Sequence, residues 1–244
     1  MCALGDLIAW TPRSKRGTIS QFANKRCHRQ TIPPSQRLLL IFATSLDLSK
    51  TDSPEKIYTL LKKENIDVLI NNAGFGTFGK FHKTSWEKEK DMINLHVLNT
   101  THLTKLFLKD MVKKNDGKIL NIASVAAFQP GPLMSLYYAT KAFILHFTEA
   151  ISNEVKDKNI CISVLCPGQT STNFQKNVSK KKNKIKFNTA CPIKVAKYGY
   201  ESLKKNITVS VPGFWNNVII FLGRLLPRKT STELVRYIQE KNRD

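Results

Sequence analysis

Residues 67–76, Asp-Val-Leu-Ile-Asn-Asn-Ala-Gly-Phe-Gly, form a short apolar run that ends in a glycine turn. Such a run predicts a buried β-strand followed by a tight loop. Two further segments have the same form: Lys-Ile-Leu-Asn-Ile-Ala-Ser at 118–124 and Ile-Cys-Ile-Ser-Val-Leu-Cys-Pro-Gly at 160–168. Helical patterns lie between them, so we predict an α/β fold with a parallel sheet covered by helices on both faces.

The predicted elements continue this alternation along the chain. We expect strands at 38–44, 68–71, 118–123, 160–165 and 207–211. We expect helices at 54–64, 85–114, 135–156, 192–205, 214–226 and 231–241. Open parallel sheets bind ligands at the carboxyl ends of their strands. The polar and glycine residues that follow the three strands above therefore predict one site along one edge of the sheet.

A tyrosine and a lysine four residues apart form the candidate chemistry. Tyr137 and Lys141 belong to Tyr-Tyr-Ala-Thr-Lys at 137–141, and residues at this spacing share one face of a helix. A cation beside a phenol lowers the phenol's pKa from about 10, and such a tyrosine exchanges a proton with a carbonyl or alcohol. Ser124, thirteen residues upstream of Tyr137, would polarise the same oxygen. An ordinary amphipathic helix is the alternative for the Tyr/Lys pair alone.

Taken together, these motifs resemble the short-chain dehydrogenase/reductase family over roughly residues 38–240. The matching residues are Asn-Asn-Ala-Gly at 71–74, Ser124, Tyr137 with Lys141, and Pro-Gly-Gln-Thr at 167–170. The resemblance implies a Rossmann-like, doubly wound parallel sheet in a single domain over 1–244. It also implies a NAD(P)-dependent oxidoreductase that interconverts an alcohol and a carbonyl compound by hydride transfer.

The resemblance also implies roles for individual residues. Tyr137 is the expected general acid/base, Lys141 holds the nicotinamide ribose and lowers the tyrosine pKa, and Ser124 orients the substrate oxygen. His96 stands at the family's fourth catalytic position, which is usually an asparagine that holds a water in the proton relay. The expected cofactor-binding residues are Asp47, Asn72, Ala73, Gly74, Tyr137, Lys141, Pro167, Gly168 and Thr170. No metal site is predicted.

The N-terminal segment departs from the family pattern. The family begins with a strand, a Thr-Gly-x-x-x-Gly-x-Gly turn and a helix that holds the pyrophosphate. Here residues 7–19 retain Thr11, Ser14 and Gly17, but Pro12 lacks an amide hydrogen and Arg16 replaces a small residue. Residues 1–37 are therefore interpreted as a degenerate segment and 38–244 as the recognisable core, with the first βαβ unit incomplete. A catalytically impaired remnant, truncated or frameshifted and limited to binding or dimerisation, is the alternative function.

The bulk composition leaves the binding partners open. The formal net charge is +21, from 39 basic and 18 acidic residues, with a lysine run at 180–186. Such a charge attracts nucleic acid, anionic membrane or a phosphorylated cofactor, but a lysine-rich composition without any function is the alternative. Basic residues at 13, 15 and 16 favour NADP(H) over NAD(H). No nucleic-acid recognition motif is present, so we expect a small carbonyl or alcohol substrate.

Length and cysteine usage complete the expectations. A chain of 244 residues with 41% hydrophobic residues can bury a core as one unit. No apolar run approaches the ~20 residues of a membrane-spanning helix. Five cysteines without metal-ligand spacing indicate reduced thiols and a cytoplasmic location. By resemblance, the helices at 85–114 and 135–156 pair between subunits, which predicts a homodimer or homotetramer.

Overall fold

The structure, a computed structural model, describes residues 7–10, 46–172, 174, 178 and 189–243. Its five strands form one sheet in the order β1-β2-β3-β4-β5. They are β1 (Leu7–Trp10), β2 (Val68–Asn71), β3 (Gly117–Ile122), β4 (Ile160–Leu165) and β5 (Val209–Ser210). Strands β2 to β5 are parallel, which confirms the predicted α/β architecture.

Strand β1 pairs with β2 in the antiparallel direction, at the edge of the sheet. Leu7 is opposite Asn71, and Trp10 is opposite Val68. Trp10 therefore lies level with the amino end of β2, away from the edge where the parallel strands present their carboxyl ends. Residues 11–17 of the degenerate N-terminal segment, the predicted strand at 38–44 and the lysine run at 180–186 lie outside the described residues.

Seven α-helices of the described ranges surround the sheet. They are α1 (Ser53–Leu61), α2 (Trp86–Ile93), α3 (Thr100–Lys114), α4 (Ser135–Glu154), α5 (Pro192–Lys204), α6 (Phe214–Leu225) and α7 (Arg228–Arg243). The predicted helix at 85–114 is divided by a π-helical segment, Asn94–Asn99, between α2 and α3. Helix α7 begins three residues before its predicted start, and β5 is shorter than predicted.

Alternating side chains of the strands pack against helices on opposite faces of the sheet. Leu69, Ile119 and Ile162 join the cluster that contains Ile57 of α1 and Phe107 of α3. Val68, Leu120 and Leu165 instead pack with Val195 and Leu203 of α5. Because successive residues of a strand point to opposite faces, these continuous apolar strands suit a sheet buried on both sides.

Within residues 46–172 and 189–243, none of the helices has the length and apolar character required to cross a bilayer.

Candidate active site

Helix α4 places the candidate proton donor on its buried face. Tyr137, Thr140, Lys141, Ile144 and Thr148 are all buried, and their spacing follows one side of a helix. The turn before α4 packs closely against the first turns of this helix, because a Cβ built at Gly131 would lie only 2.2 Å from the Tyr138 ring. The sequence spacing thus correctly predicted that Tyr137 and Lys141 share a face.

Ser124 follows β3 and caps a short 3₁₀ turn, Val125–Phe128. Its hydroxyl oxygen accepts a hydrogen bond from the Ala126 amide at 3.2 Å and lies 3.5 Å from the Pro167 carbonyl oxygen. The Val125 amide also donates to the Pro167 carbonyl, at 3.1 Å. The ends of β3 and β4 are therefore held together where the sequence predicted the site.

The pKa of Tyr137 differs from the expectation. Burial raises this pKa to about 12, although a hydrogen bond from the Ser124 side chain lowers it in part. The Lys141 ammonium lies 5.9 Å from the centre of the tyrosine ring. The expectation that Lys141 brings the phenol pKa below its usual value is wrong for this structure, because the cost of burying a phenolate dominates.

Lys141 is a buried cation. Its Nζ donates a hydrogen bond of 2.8 Å to the carbonyl oxygen of Ile122, at the end of β3. Burial lowers the pKa of Lys141 from 10.5 to about 8, and the nearby Cys166 thiol opposes this shift. The Lys141 ammonium therefore loses a proton more easily than an ordinary lysine does. It lies at the carboxyl end of β3.

His96 is fully buried within the π-helical segment and links two other elements. Its Nε2 accepts a hydrogen bond of 3.3 Å from the Phe75 amide, and its Nδ1 lies 2.9 Å from the Thr140 hydroxyl. That hydroxyl donates its hydrogen to the Tyr137 carbonyl, so it accepts from Nδ1–H. Burial, and secondarily Lys141, hold the pKa of His96 well below 6.5, so the ring is a neutral Nδ1–H tautomer.

Gly74 allows His96 and Lys141 to approach each other across the loop after β2. A Cβ built at Gly74 would lie 2.9 Å from His96 Nε2 and 3.5 Å from Lys141 Nζ. Even an alanine would therefore displace the imidazole. The sequence motif at 71–74 predicted Gly74 as a cofactor-binding residue, and the structure shows that this glycine also makes room for two candidate site residues.

Asp47, another of the expected cofactor-binding residues, lies in the turn that precedes α1. Asp47 Oδ1 accepts hydrogen bonds from the amide and hydroxyl of Ser49, which lower the pKa of the carboxyl. Asn99 Nδ2 donates to the carbonyl oxygens of Leu48 and Lys50, at 2.6 and 2.7 Å, and so fixes this turn. Leu48 shares a small depression with Asn72 and Ala73. The turn that contains Asp47 and Leu48 therefore lies next to the 71–74 motif.

The loop after β4 carries the remaining predicted cofactor residues. Thr170 donates a hydrogen bond of 3.0 Å to the Gly168 carbonyl and pairs with Ala190. A Cβ built at Gly168 would lie 2.6 Å from the side-chain Nδ2 of Asn216 in α6. Helix α6 therefore packs directly against the loop that contains Pro167, Gly168 and Thr170.

Sequence reasoning did not identify three residues that organise the site: Asn99, Thr140 and Asn216. Asn99 and Thr140 are buried polar residues in helices, and burial of a polar side chain cannot be read from one sequence. The sequence also gave no sign of the hydrogen bonds that Asn121 makes with Asn71 and Thr148, which tie β2 and β3 to α4. The only available signal was the occurrence of these polar residues within otherwise apolar elements.

Comparisons with known proteins agree with this arrangement. A family model described as short chain dehydrogenase matches residues 27–183. Mouse 17-beta-hydroxysteroid dehydrogenase type 3 is 38% identical over 140 residues, which are 57% of this chain and 46% of that protein. The 3-oxoacyl-(acyl-carrier-protein) reductase FabG of Buchnera aphidicola is 33% identical over 151 residues, covering 60% of this chain and 59% of that protein. The matches thus span about half the length of these relatives.

Solved structures have the same fold. A structure described as a 7beta-hydroxysteroid dehydrogenase superposes with a TM-score of 0.66 and 23% identity, over 79% of this chain and 74% of that one. A short-chain dehydrogenase from Sphingobium yanoikuyae, in complex with NADPH, gives a TM-score of 0.63 and 23% identity, over 73% and 72%. The family model covers well over half of the sequence, and this chain belongs to the short-chain dehydrogenase family.

Proposed function

We propose that this protein is a NAD(P)-dependent oxidoreductase that interconverts a carbonyl compound and an alcohol. The observation that carries the proposal is the buried Tyr137, whose pKa the Ser124 side chain lowers in part and whose ring centre lies 5.9 Å from the Lys141 ammonium. Proton transfer by a positioned side chain is worth about 10²–10⁴ in rate. At a pKa of about 12 the phenol is protonated, and so carries the proton that the oxygen of a carbonyl being reduced must receive.

The residues of this chain divide the work between proton transfer and positioning. Tyr137 gives its proton to the substrate oxygen as that oxygen gains the electron pair of the carbonyl bond, and Ser124 orients the oxygen. Lys141 then stabilises the phenolate that remains. His96 acts as a positioning residue, because both ring nitrogens already bind Phe75 and Thr140.

The described residues fit a nicotinamide cofactor at both of its ends. When bound, the nicotinamide supplies the hydride. Pro167, Gly168 and Thr170 would hold its carboxamide, and Lys141 its ribose. Asp47, Asn72, Ala73 and Gly74 would hold the adenosine side, beside the small depression that Leu48 lines with Asn72 and Ala73. The segment expected to hold the pyrophosphate lies outside the described residues, and the preference for NADP(H) rests on the basic residues at 13, 15 and 16.

The surroundings of Tyr137 favour an apolar substrate. Met134, Phe75, Phe78 and Phe174 pack in the same cluster as the tyrosine ring. These side chains offer no charge to a polar substrate, and the relatives are named for steroid and 3-oxoacyl compounds. An aliphatic or aromatic ketone is therefore the proposed substrate class.

Two further parts of the proposal concern assembly and location. Helices α3 and α4 would pair between subunits as a homodimer or homotetramer, and Phe143 with Phe147 forms a stacked pair on α4 with centroids 5.6 Å apart. Cys161 and Cys166 have free thiols, which supports a cytoplasmic location.

Hydride transfer by the purified chain tests the proposal. NADPH and NADH are titrated first, and their oxidation is then followed with a panel of apolar ketones. Tyr137→Phe should lower turnover by about 10²–10⁴ with little change in cofactor affinity. Tyr138→Phe is the matched control and should keep most activity, because the aromatic ring remains and the hydroxyl that is lost accepts a hydrogen bond from Gln239 of α7. Full activity of Tyr137→Phe would refute the assignment, and failure to bind either cofactor would favour the impaired remnant.

A further inference from the structure

Helix α6 turns a side of mixed polarity towards the protein and most of its large apolar side chains outwards. Asn216, Gly223 and Arg224 recur at the spacing of one helical face. Asn216 packs at Gly168, Gly223 lies near Gln129, and the Arg224 guanidinium lies 5.8 Å from the centre of the Phe128 ring. The side of α6 that contacts the domain thus carries Asn216, Gly223 and the half-buried Ile220, with the exposed Arg224 at its border.

The opposite side of α6 forms a cluster of exposed apolar side chains, which we call the α6 face. Its members are 44–74% exposed: Phe214, Trp215, Ile219, Phe221, Leu222 and Leu225. None of the twelve residues of α6 is fully buried. Single exposed apolar side chains are ordinary, but a contiguous group of this size on one helix marks an interaction site.

The stretch of sequence that contains α6 carries charges of one sign. From residue 202 to residue 232 the sequence contains five basic residues and no Asp or Glu. Arg228 and Lys229 follow α6 directly, at the exposed start of α7. Aromatic and aliphatic side chains bordered by cations are the pattern that inserts into the headgroup region of an anionic bilayer, where each basic residue adds about 1 kcal/mol.

We propose that the α6 face docks the protein onto the surface of an anionic lipid bilayer. This proposal goes beyond the oxidoreductase function and does not depend on it. Because the opposite side of α6 packs on Gly168, docking would also hold the loop of residues 167–170 one helix diameter, roughly 10 Å, from the lipid surface. An apolar ketone dissolved in the bilayer would then reach the candidate site over a short path.

Vesicle flotation tests the proposal on the full chain. Vesicles of phosphatidylcholine with about 30% phosphatidylglycerol should carry the protein, and pure phosphatidylcholine vesicles should carry much less. The variant Trp215→Ser/Phe221→Ser should lower the partition coefficient at least about tenfold. Arg228→Glu/Lys229→Glu should reduce binding to the anionic vesicles without changing the apolar side chains, and an acidic start suits helix α7.

A matched control distinguishes membrane binding through the α6 face from nonspecific binding through any exposed aromatic side chain. Phe81 and Trp86 are 63% and 60% exposed, close to the 62% of Phe221 and the 56% of Trp215. Phe81→Ser/Trp86→Ser should therefore bind vesicles within about twofold of the unmodified chain. Equal loss in both double variants, or no flotation of the unmodified chain, would overturn the proposal. It would also fall if light scattering without lipid showed that Trp215→Ser/Phe221→Ser dissociates an oligomer while vesicle binding is unchanged, since the face would then join two copies.

Discussion

Helices α4 and α6 are both rich in apolar residues, yet the fold uses their faces in opposite ways. Helix α4 buries Tyr137, Thr140 and Lys141 beside Ile144, so polar groups enter the interior. Helix α6 buries none of its residues fully and presents its apolar side to the outside. Buried polar groups and exposed apolar clusters each cost stability unless something compensates them. Both helices therefore depart from the usual rule that apolar side chains are buried and polar side chains are exposed. In α4 the departure lies at a candidate chemical site, and in α6 it lies at a proposed docking surface.

The largest expected effect comes from the same substitution made on the two helices. Ile144 of α4 is 2% exposed, whereas Ile219 of α6 is 44% exposed. Ile144→Ser should lower the free energy of unfolding by about 3–5 kcal/mol, because it leaves a cavity and buries a hydroxyl. Ile219→Ser should change it by no more than about 0.5 kcal/mol. Urea unfolding in lipid-free buffer measures both values, and equal losses would mean that the α6 face is covered in the free chain.

The second prediction concerns the cost of burying Lys141. Its pKa is about 8 in the folded protein and 10.5 ordinarily, so between these two pH values the unfolded chain binds more protons. The free energy of unfolding should therefore rise with pH across this window, by about 3 kcal/mol relative to Lys141→Met. The exposed Lys156→Met serves as the control and should follow the unmodified chain. Urea titrations at a series of pH values measure the difference, and parallel curves for Lys141→Met would contradict a buried, perturbed lysine.

The smallest effect is expected for His96→Asn, which restores the residue usual in the family. The variant should lose about 1–3 kcal/mol in free energy of unfolding, because the shorter side chain cannot bind both Phe75 and Thr140. In the folded protein the pKa of His96 lies well below 6.5, so the unmodified chain should lose stability as the pH falls below 6.5. The variant should lack this acid-dependent loss, which urea unfolding at pH 4.5 to 7 would detect.

A role of His96 in positioning also has a kinetic consequence. Disturbing the link to Thr140 should lower kcat more than it raises KM, because Tyr137 would be misplaced while the binding surfaces remain. The same pH dependence of stability in His96→Asn and in the unmodified chain would contradict the neutral, doubly bonded imidazole.

Some features of the site were predictable because they depend on local geometry. The spacing of Tyr137 and Lys141 fixes their common helix face, and the apolar runs before Asn71 and Ser124 fix two strands of the sheet. The electrostatic outcome was not predictable, because the pKa of Tyr137 depends on how completely the surrounding chain excludes water. The hydrogen bonds of His96 join residues 75 and 140, which no local pattern connects.

The sequence by itself determined the α/β architecture, the order of its parallel strands along the chain, and the motifs by which the family is recognised. These follow from periodicity and from the positions of glycine, proline and polar residues at strand ends. Only the tertiary structure decided that β1 runs antiparallel, that His96 is neutral and doubly bonded, and that α6 turns its apolar side outwards. The physical reason is that pairing direction, desolvation and the choice of buried face depend on contacts between segments far apart in the chain, which a single sequence does not record.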